Sequence, residues 1–198
     1  PGQYAAEWTH KNKRKAVGVF PNYFPVEIPE AAGVLPVGLW GSSKPIRKAD
    51  SHLPAFVCSL IKSNFEMALD GDLKSLSGVV FPEICDSLQN SESVWRANFP
   101  DMFTTRFRIP RNMDSAGARE FLIGELRRIV AETEKAFETE VTELDLVEAI
   151  MRRNGLRRRV RELLEHFYAG QMMIHPMDLF IAVKAAHVMD PDEKKEKA

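Results

Sequence analysis

Two side chains in this sequence bring chemistry that few residue types offer. Cys58 and Cys85 are the only cysteines among 198 residues. A thiolate is a nucleophile and a soft metal ligand. There is no Cys-x-x-Cys pair and no cluster of histidines around them, so spacing alone leaves inert packing open beside metal ligation. Position along the chain says more. Cys85 follows the apolar run Gly78-Val79-Val80-Phe81 by a few residues and stands where a helix opens. Cys58 lies in His52-Leu53-Pro54-Ala55-Phe56-Val57-Cys58-Ser59, near the start of a stretch with helical apolar spacing that runs to Leu69. The carboxyl end of a parallel strand is where ligands collect in open sheets, and a helix N-terminus favours the thiolate. If the two helices start at one sheet edge, both sulfurs face one crevice. Two thiolates do not complete a four-iron cluster or a structural zinc site. A further ligand then comes from a segment absent here, from a partner or from solvent. Asp86, beside Cys85, reads either as a hydrogen-bonding group in that crevice or as an ordinary first-turn helix acid.

The remaining chemistry-bearing residues are less pointed. His10, His52, His166, His175 and His187 include no i, i+4 pair, so the zinc-protease pattern is absent. His52 is near the expected crevice, with a structural or solvent-facing role set against a ligand role. Glycine-rich phosphate loops and Gly-x-Ser-x-Gly do not occur. Arg152, Arg153, Arg157, Arg158, Arg159 and Arg161 form a stripe. It reads as a phosphate or CoA grip, because guanidinium forks suit phosphate oxygens, or as a solvated helix face paired with Glu148, Glu162 and Glu165. Glu132, Glu134, Glu138, Glu140, Glu143 and Glu148 read as helical surface.

The elements that must position these residues follow from hydrophobic pattern. Strands are expected at Ala16–Phe20, a short apolar run bounded by turn residues, and at Pro36–Trp40, Gly78–Phe81 and Phe103–Ile109. Helices are expected at 25–33, 53–69 and 84–99. Pro25 suits a first helical position and Gly33 a C-terminal stop. Strands alternating with helices imply βαβ units, a parallel sheet and right-handed crossovers. From Asp114 onward the pattern is purely helical. One long amphipathic helix covers Ser115–Glu138. Thr142 with Asp145 resembles a capping box for a helix carrying Leu144, Val147, Ile150 and Met151 on one face. Gly155 marks an expected bend before Leu156–Tyr168, and Pro176–Met189 is the last helix.

The fold class is therefore α/β, a small parallel sheet with flanking helices (half of a Rossmann-like or flavodoxin-like unit) followed by a helical layer. The expected organisation is a partly helical lead-in segment at 1–15, an α/β domain at 16–112, a helical region at 113–189 and a charged linker or frayed tail at 190–198.

Composition sets the outer limits. Hydrophobic residues make up 44% and charged residues 28%, ordinary for a globular chain. A net charge of −1 excludes a generally basic nucleic-acid-coating protein. No apolar run approaches the ~18 residues of a membrane span, and no signal-peptide pattern opens the sequence. Two cysteines make no disulfide framework, so a cytoplasmic protein with reduced thiols is expected, binding neither nucleic acid nor membrane.

Several segments together resemble one family. They are Phe24-Pro25-Val26-Glu27-Ile28 with Ala31-Ala32-Gly33-Val34-Leu35-Pro36-Val37, then Phe56-Val57-Cys58-Ser59, then Gly78-Val79-Val80-Phe81-Pro82-Glu83-Ile84-Cys85-Asp86-Ser87, followed by Val94-Trp95-Arg96 and Asn98-Phe99-Pro100. This order resembles the 2-hydroxyacyl-CoA dehydratase and benzoyl-CoA reductase subunits, from about Ala16 to Met189. The Cys-Asp-Ser and Val-Trp-Arg details resemble the reductase branch more. The resemblance implies a [4Fe–4S] cluster with Cys58 and Cys85 as ligands, a homologous second subunit, an ATP-hydrolysing iron–sulfur activator and an acyl-CoA substrate. It implies one-electron reduction of the thioester to a ketyl-type radical anion. In the reductases the aromatic ring is then reduced, and in the dehydratases hydroxide leaves. A benzoyl-CoA reductase subunit is the reading it favours, with a 2-hydroxyacyl-CoA dehydratase subunit or a truncated interaction module lacking a cluster as alternatives. Glu27 becomes a substrate-side acid, or else a helix first-turn carboxylate that suits the macrodipole. The family pattern also places a ligand cysteine in a second α/β domain. The expectation is thus a fragment or a shortened subunit, and a fragment would expose apolar surface.

Overall fold

The apolar runs become strands. In the computed structural model, which describes residues 1–21 and 23–193, β1 (Ala16–Val19), β2 (Leu35–Gly38), β3 (Gly78–Pro82) and β4 (Phe103–Phe107) form one sheet. Their order is β2-β1-β3-β4 and each neighbouring pair is parallel. The first three strands are buried along their length, as parallel strands covered on both faces must be. Pro36 has no N–H to offer a ladder, and it sits in the edge strand β2, where one side needs none. Gly78 is fixed by close approach: a Cβ there would meet the Phe103 carbonyl oxygen at 2.7 Å.

The connection from β1 to β2 runs one way along the sheet, and those from β2 to β3 and β4 run the other way. Right-handed crossovers then put their helices on opposite faces. α1 (Gly2–Asn12), α3 (Ser59–Leu69) and α4 (Asp86–Asn98) cover one face, where Phe65 and Phe81 pack on Trp95 at ring separations of 5.4 and 5.6 Å. α2 (Glu27–Ala31) and α5 (Ala118–Phe137) cover the other, around Ile28, Val80, Phe107 and Ile129. α6 (Glu143–Tyr168) lies on α2, and α7 (Pro176–Ala186) folds back on α6. The chain after α7 closes on the sheet, where the Gly38 N–H donates to the His187 carbonyl at 2.8 Å. The architecture is the expected α/β sheet followed by a helical layer. Among the described residues no helix is long and apolar enough to cross a membrane.

Four expectations change in detail. The helix expected from Leu53 begins only at Ser59. Pro54 disfavours helical backbone at the residue before it, and Phe56, part of that apolar spacing, is 75% exposed. The bend expected at Gly155 is absent, since α6 runs unbroken through it. A glycine permits a kink and does not impose one. The face carrying Leu144, Val147, Ile150 and Met151 points to solvent, and the buried residues of α6 are Ala149 and Arg153. Asp190–Glu193 is tied to α1 and is not frayed: Trp8 Nε1 donates to Asp190 Oδ2 at 2.9 Å, and the Asp190 N–H donates to the Tyr4 hydroxyl at 2.9 Å. The rest of the expected tail, 194–198, lies outside the described residues.

Candidate functional site

α3 leads into β3 and α4 leaves it, so both helices open at the carboxyl edge of the sheet, on the same face. Each opens on a cysteine. Cys58 is the N-cap of α3 (φ −66°, ψ 155°) and Cys85 the N-cap of α4 (φ −153°, ψ 160°). Extended backbone at the N-cap leaves the side chain beside the free N–H groups of the first turn. Cys85 Sγ accepts from the Leu88 N–H at 3.5 Å, whereas Cys58 makes no such bond. Both thiols are free and exposed.

Carboxylates anchor the loop that packs along α3 and the turn into α4. From the second half of α3, Glu66 accepts from the N–H groups of Lys48 at 2.9 Å and Ala49 at 2.7 Å, in the loop before the helix. Burial pushes the Glu66 carboxyl up, but these backbone donors outweigh it and hold the group below the ordinary range. Ahead of α4, the Glu83 N–H donates to the Phe107 carbonyl at 2.8 Å. The Glu83 carboxylate faces Arg106 at 3.5 Å and Arg108 at 3.4 Å. The turn into Cys85 is therefore moored to β4.

On the opposite face, the carboxyl ends of β1 and β4 open into a cavity of about 620 Å³. Phe20, Phe24, Phe107, Ile109, Leu122 and Leu126 give it apolar walls, with Phe24 edge-on to Phe107 at 5.7 Å. Its polar lining is Tyr23, Glu27, Arg157 and His187. Glu27 opens α2 and is largely buried, and Arg157 Nη1 reaches its Oε1 at 2.6 Å. One turn along each helix, Glu30 and Arg153 form a second pair, both buried. Burial pushes the Glu30 carboxyl up against the pull of Arg153 and Arg152. His187 is lowered, first by burial and then by the positive charges of Arg153 and Arg157, so its imidazole is neutral at neutral pH.

The structure brings Cys58 and Cys85 to one edge and face of the sheet, and it places Glu27 on the other face beside Arg157. Asp86 is a first-turn residue of α4. His52 packs edge-on to Phe65 at 5.6 Å, a structural contact. The expected pairing of the arginine stripe with acids of its own helix needs correction. Arg152, Arg153 and Arg157 pair with Asp192, Glu30 and Glu27, all from other elements. The sequence does carry a signal for this: acids three apart on one short helix match arginines four apart on another. His187 had no such signal, because only the return of α7 to β2 brings it to the cavity. Among the described residues no group of three or more His, Cys, Asp or Glu comes together as a metal site. The soft donors at the sheet edge therefore number two.

Comparison with known proteins identifies a family. The family model described as "2-hydroxyglutaryl-CoA dehydratase, D-component" matches residues 21–198. The (R)-phenyllactyl-CoA dehydratase beta subunit of Clostridium sporogenes is 30% identical, over 100% of this chain and 53% of its own length. The lactoyl-CoA dehydratase subunit beta of Anaerotignum propionicum is 31% identical, over 83% of this chain and 44% of its own. A benzoyl-CoA reductase subunit of Thauera aromatica is 24% identical, over 97% of this chain and 50% of its own. The chain spans about half the length of these relatives.

Proposed function

The chain belongs to the 2-hydroxyglutaryl-CoA dehydratase D-component family, and from that premise we propose that it forms part of an iron–sulfur subunit acting on an acyl-CoA thioester. In this reading Cys58 and Cys85 are two of the ligands of a [4Fe–4S] cluster. Further ligands come from outside the described residues. The observation that carries it is that both cysteines cap helices opening at one edge and one face of the sheet, with their thiols exposed.

The donor chemistry suits such a group: both donors are sulfurs, neither is spent in a disulfide, and each caps the start of a helix with its thiol exposed. When bound, the cluster supplies one-electron transfer at low potential, chemistry that side chains lack. The chain's own contribution is to hold and orient. Glu83 fixes the turn that presents Cys85, and Glu27, held by Arg157, offers a carboxylate at the cavity on the substrate side. The reading carries with it a homologous second subunit, an ATP-hydrolysing iron–sulfur activator and a reducing, cytoplasmic setting.

Within the family we favour a 2-hydroxyacyl-CoA dehydratase, because two dehydratase subunits are 30% and 31% identical to this chain and the reductase subunit 24%. Benzoyl-CoA reduction stands as the second reading, supported by the Cys85-Asp86-Ser87 and Val94-Trp95-Arg96 segments.

Anaerobic reconstitution with iron and sulfide tests the common core. The expected result is bound iron and sulfide with visible charge-transfer absorption, lost in Cys58→Ala and in Cys85→Ala. Iron retained at full stoichiometry by both variants would overturn the assignment of these ligands.

A further inference from the structure

We propose that the outer face of α6 is a self-association surface, on which a second copy of this chain packs its own α6 antiparallel, about a two-fold axis between Ile150 and Met151. It holds whether or not Cys58 and Cys85 bind a cluster.

Leu144, Val147, Ile150 and Met151 are spaced by three and four residues, so they share one face of α6, and each is 45–69% exposed. Ala149 and Arg153, the buried residues of the helix, lie on the opposite side. No element among the described residues covers the four apolar side chains, and burying one of this size is worth about 1.5–3 kcal/mol.

Charge decides which surface fits them. Glu140 and Glu143 precede the apolar patch, Arg158 and Arg161 follow it, and all four are exposed. Arg152, Arg153 and Arg157 are spent within the chain on Asp192, Glu30 and Glu27. Arg158 and Arg161 form no salt bridge among the described residues, although Glu162 and Glu165 stand four residues further on. Glu140 and Glu143 form none either. A second α6 laid parallel sets Glu143 on Glu143 and Arg158 on Arg158, like on like. Laid antiparallel, the acidic end of each copy meets the basic end of the other. One register serves both parts of the face. With Ile150 opposite the second copy's Met151, Glu143 stands opposite its Arg158, and Glu140, in the turn before α6, opposite its Arg161. Every such contact occurs twice, as an isologous interface requires.

Exposed ion pairs contribute little energy, so the apolar centre supplies the affinity and the charges select the orientation. A contact made mainly by one helix from each side is at the small end of specific interfaces, where complexes are weak. The copies therefore pair at micromolar concentration and above, and the dilute chain of an unfolding experiment is a monomer.

Sedimentation equilibrium of the 198-residue chain tests this, from below one micromolar to several hundred, with reductant present to exclude pairing through the exposed thiols. The mass expected at the upper end is twice 22.4 kDa. Val147→Glu with Met151→Glu should weaken pairing roughly tenfold or more, because carboxylates then meet in the apolar centre. Two further variants read the orientation. Glu140→Lys with Glu143→Lys makes both ends of the face basic, and Arg158→Glu with Arg161→Glu makes both acidic. Each alone is expected to weaken pairing by roughly tenfold, and an equimolar mixture of the two to recover it as a mixed dimer. All the substituted positions are exposed, and circular dichroism checks each fold. The apolar variant keeps the test decisive if a charge variant misfolds. A parent chain that stays monomeric throughout would overturn the proposal and leave the face to an unlike partner. A dimer indifferent to Val147→Glu with Met151→Glu would place the contact elsewhere and overturn it as well. Weakening in both charge variants without recovery in the mixture would overturn the antiparallel arrangement.

Discussion

Arg153 reaches from the middle of α6 to Glu30 on α2, and both side chains are buried where they meet. One turn further along, the same two helices make the Glu27–Arg157 contact, with Arg157 half in solvent. Geometry is alike in the two pairs and environment is not, so their worth to stability should differ. Removing one member of a buried pair strands the other charge in a poor solvent, at a cost of about 3–5 kcal/mol. Arg153→Met or Glu30→Ala is expected to lose that much in urea unfolding. The double variant Glu30→Leu with Arg153→Met should lose much less than the sum. Glu27→Gln should cost under about 1 kcal/mol. The two carboxylates are alike in burial, so equal losses at Glu27 and Glu30 would mean that the exposure of the arginine partner, 52% for Arg157 against 6% for Arg153, does not set the cost.

Cys85 holds two roles that a single substitution separates. Its sulfur is a weak N-cap acceptor for the Leu88 N–H at 3.5 Å, and a serine hydroxyl at that position caps better. Cys85→Ser is therefore expected to fold at least as stably as the parent chain while failing to bind a cluster. Cys85→Ala should lose the cluster and up to about 1 kcal/mol of stability. Cys58 makes no cap bond, so Cys58→Ala should change thermal stability little. Paired melting curves and iron assays check each variant.

The sheet was legible because parallel strands buried on both faces read as short apolar runs, and 16–20 and 78–81 are such runs, while the edge strand at 103–107 is only partly buried. The Thr142–Asp145 capping box was legible too, since its two bonds depend only on residues three apart. The start of α3 was not: apolar spacing through Leu53 and Phe56 looks helical, and only the backbone limit set by Pro54 and the exposure of Phe56 show otherwise. At the site, Cys58 and Cys85 could be placed from their positions at helix starts. Glu30, Arg153 and His187 meet through packing between elements far apart in sequence, which periodicity does not report.

Glu66 gives the fold a dependence on pH. Its carboxylate, held below the ordinary value of 4.5 by backbone donors, binds its proton more weakly folded than unfolded. The stabilisation is therefore complete above that ordinary value and is lost as pH falls through the lower folded value. Glu66→Gln should flatten this part of the acid-side stability curve and, at neutral pH, cost about 1–3 kcal/mol for weakened bonding to buried N–H groups. Urea midpoints between pH 3 and pH 7 check it. An unchanged acid limb in Glu66→Gln would locate the dependence elsewhere.

α6 and α7 carry apolar residues that the described fold leaves uncovered. Leu144 and Met151 are 66% and 69% exposed, and Met177, Phe180 and Ile181 are each more than half exposed. A core face of this composition would lose about 2–5 kcal/mol for each large residue cut to alanine. An exposed one should lose within about 0.5 kcal/mol. Leu144→Ala and Met151→Ala are therefore expected to leave the urea midpoint of the 198-residue chain nearly unchanged. Leu144→Glu with Met151→Glu should also raise solubility, because contiguous exposed apolar area drives association. Ile129→Ala, at a fully buried position on the sheet-facing side of α5, is the control and should lose the full core amount. A large loss at Leu144, comparable with that at Ile129, would mean that this face is packed in solution.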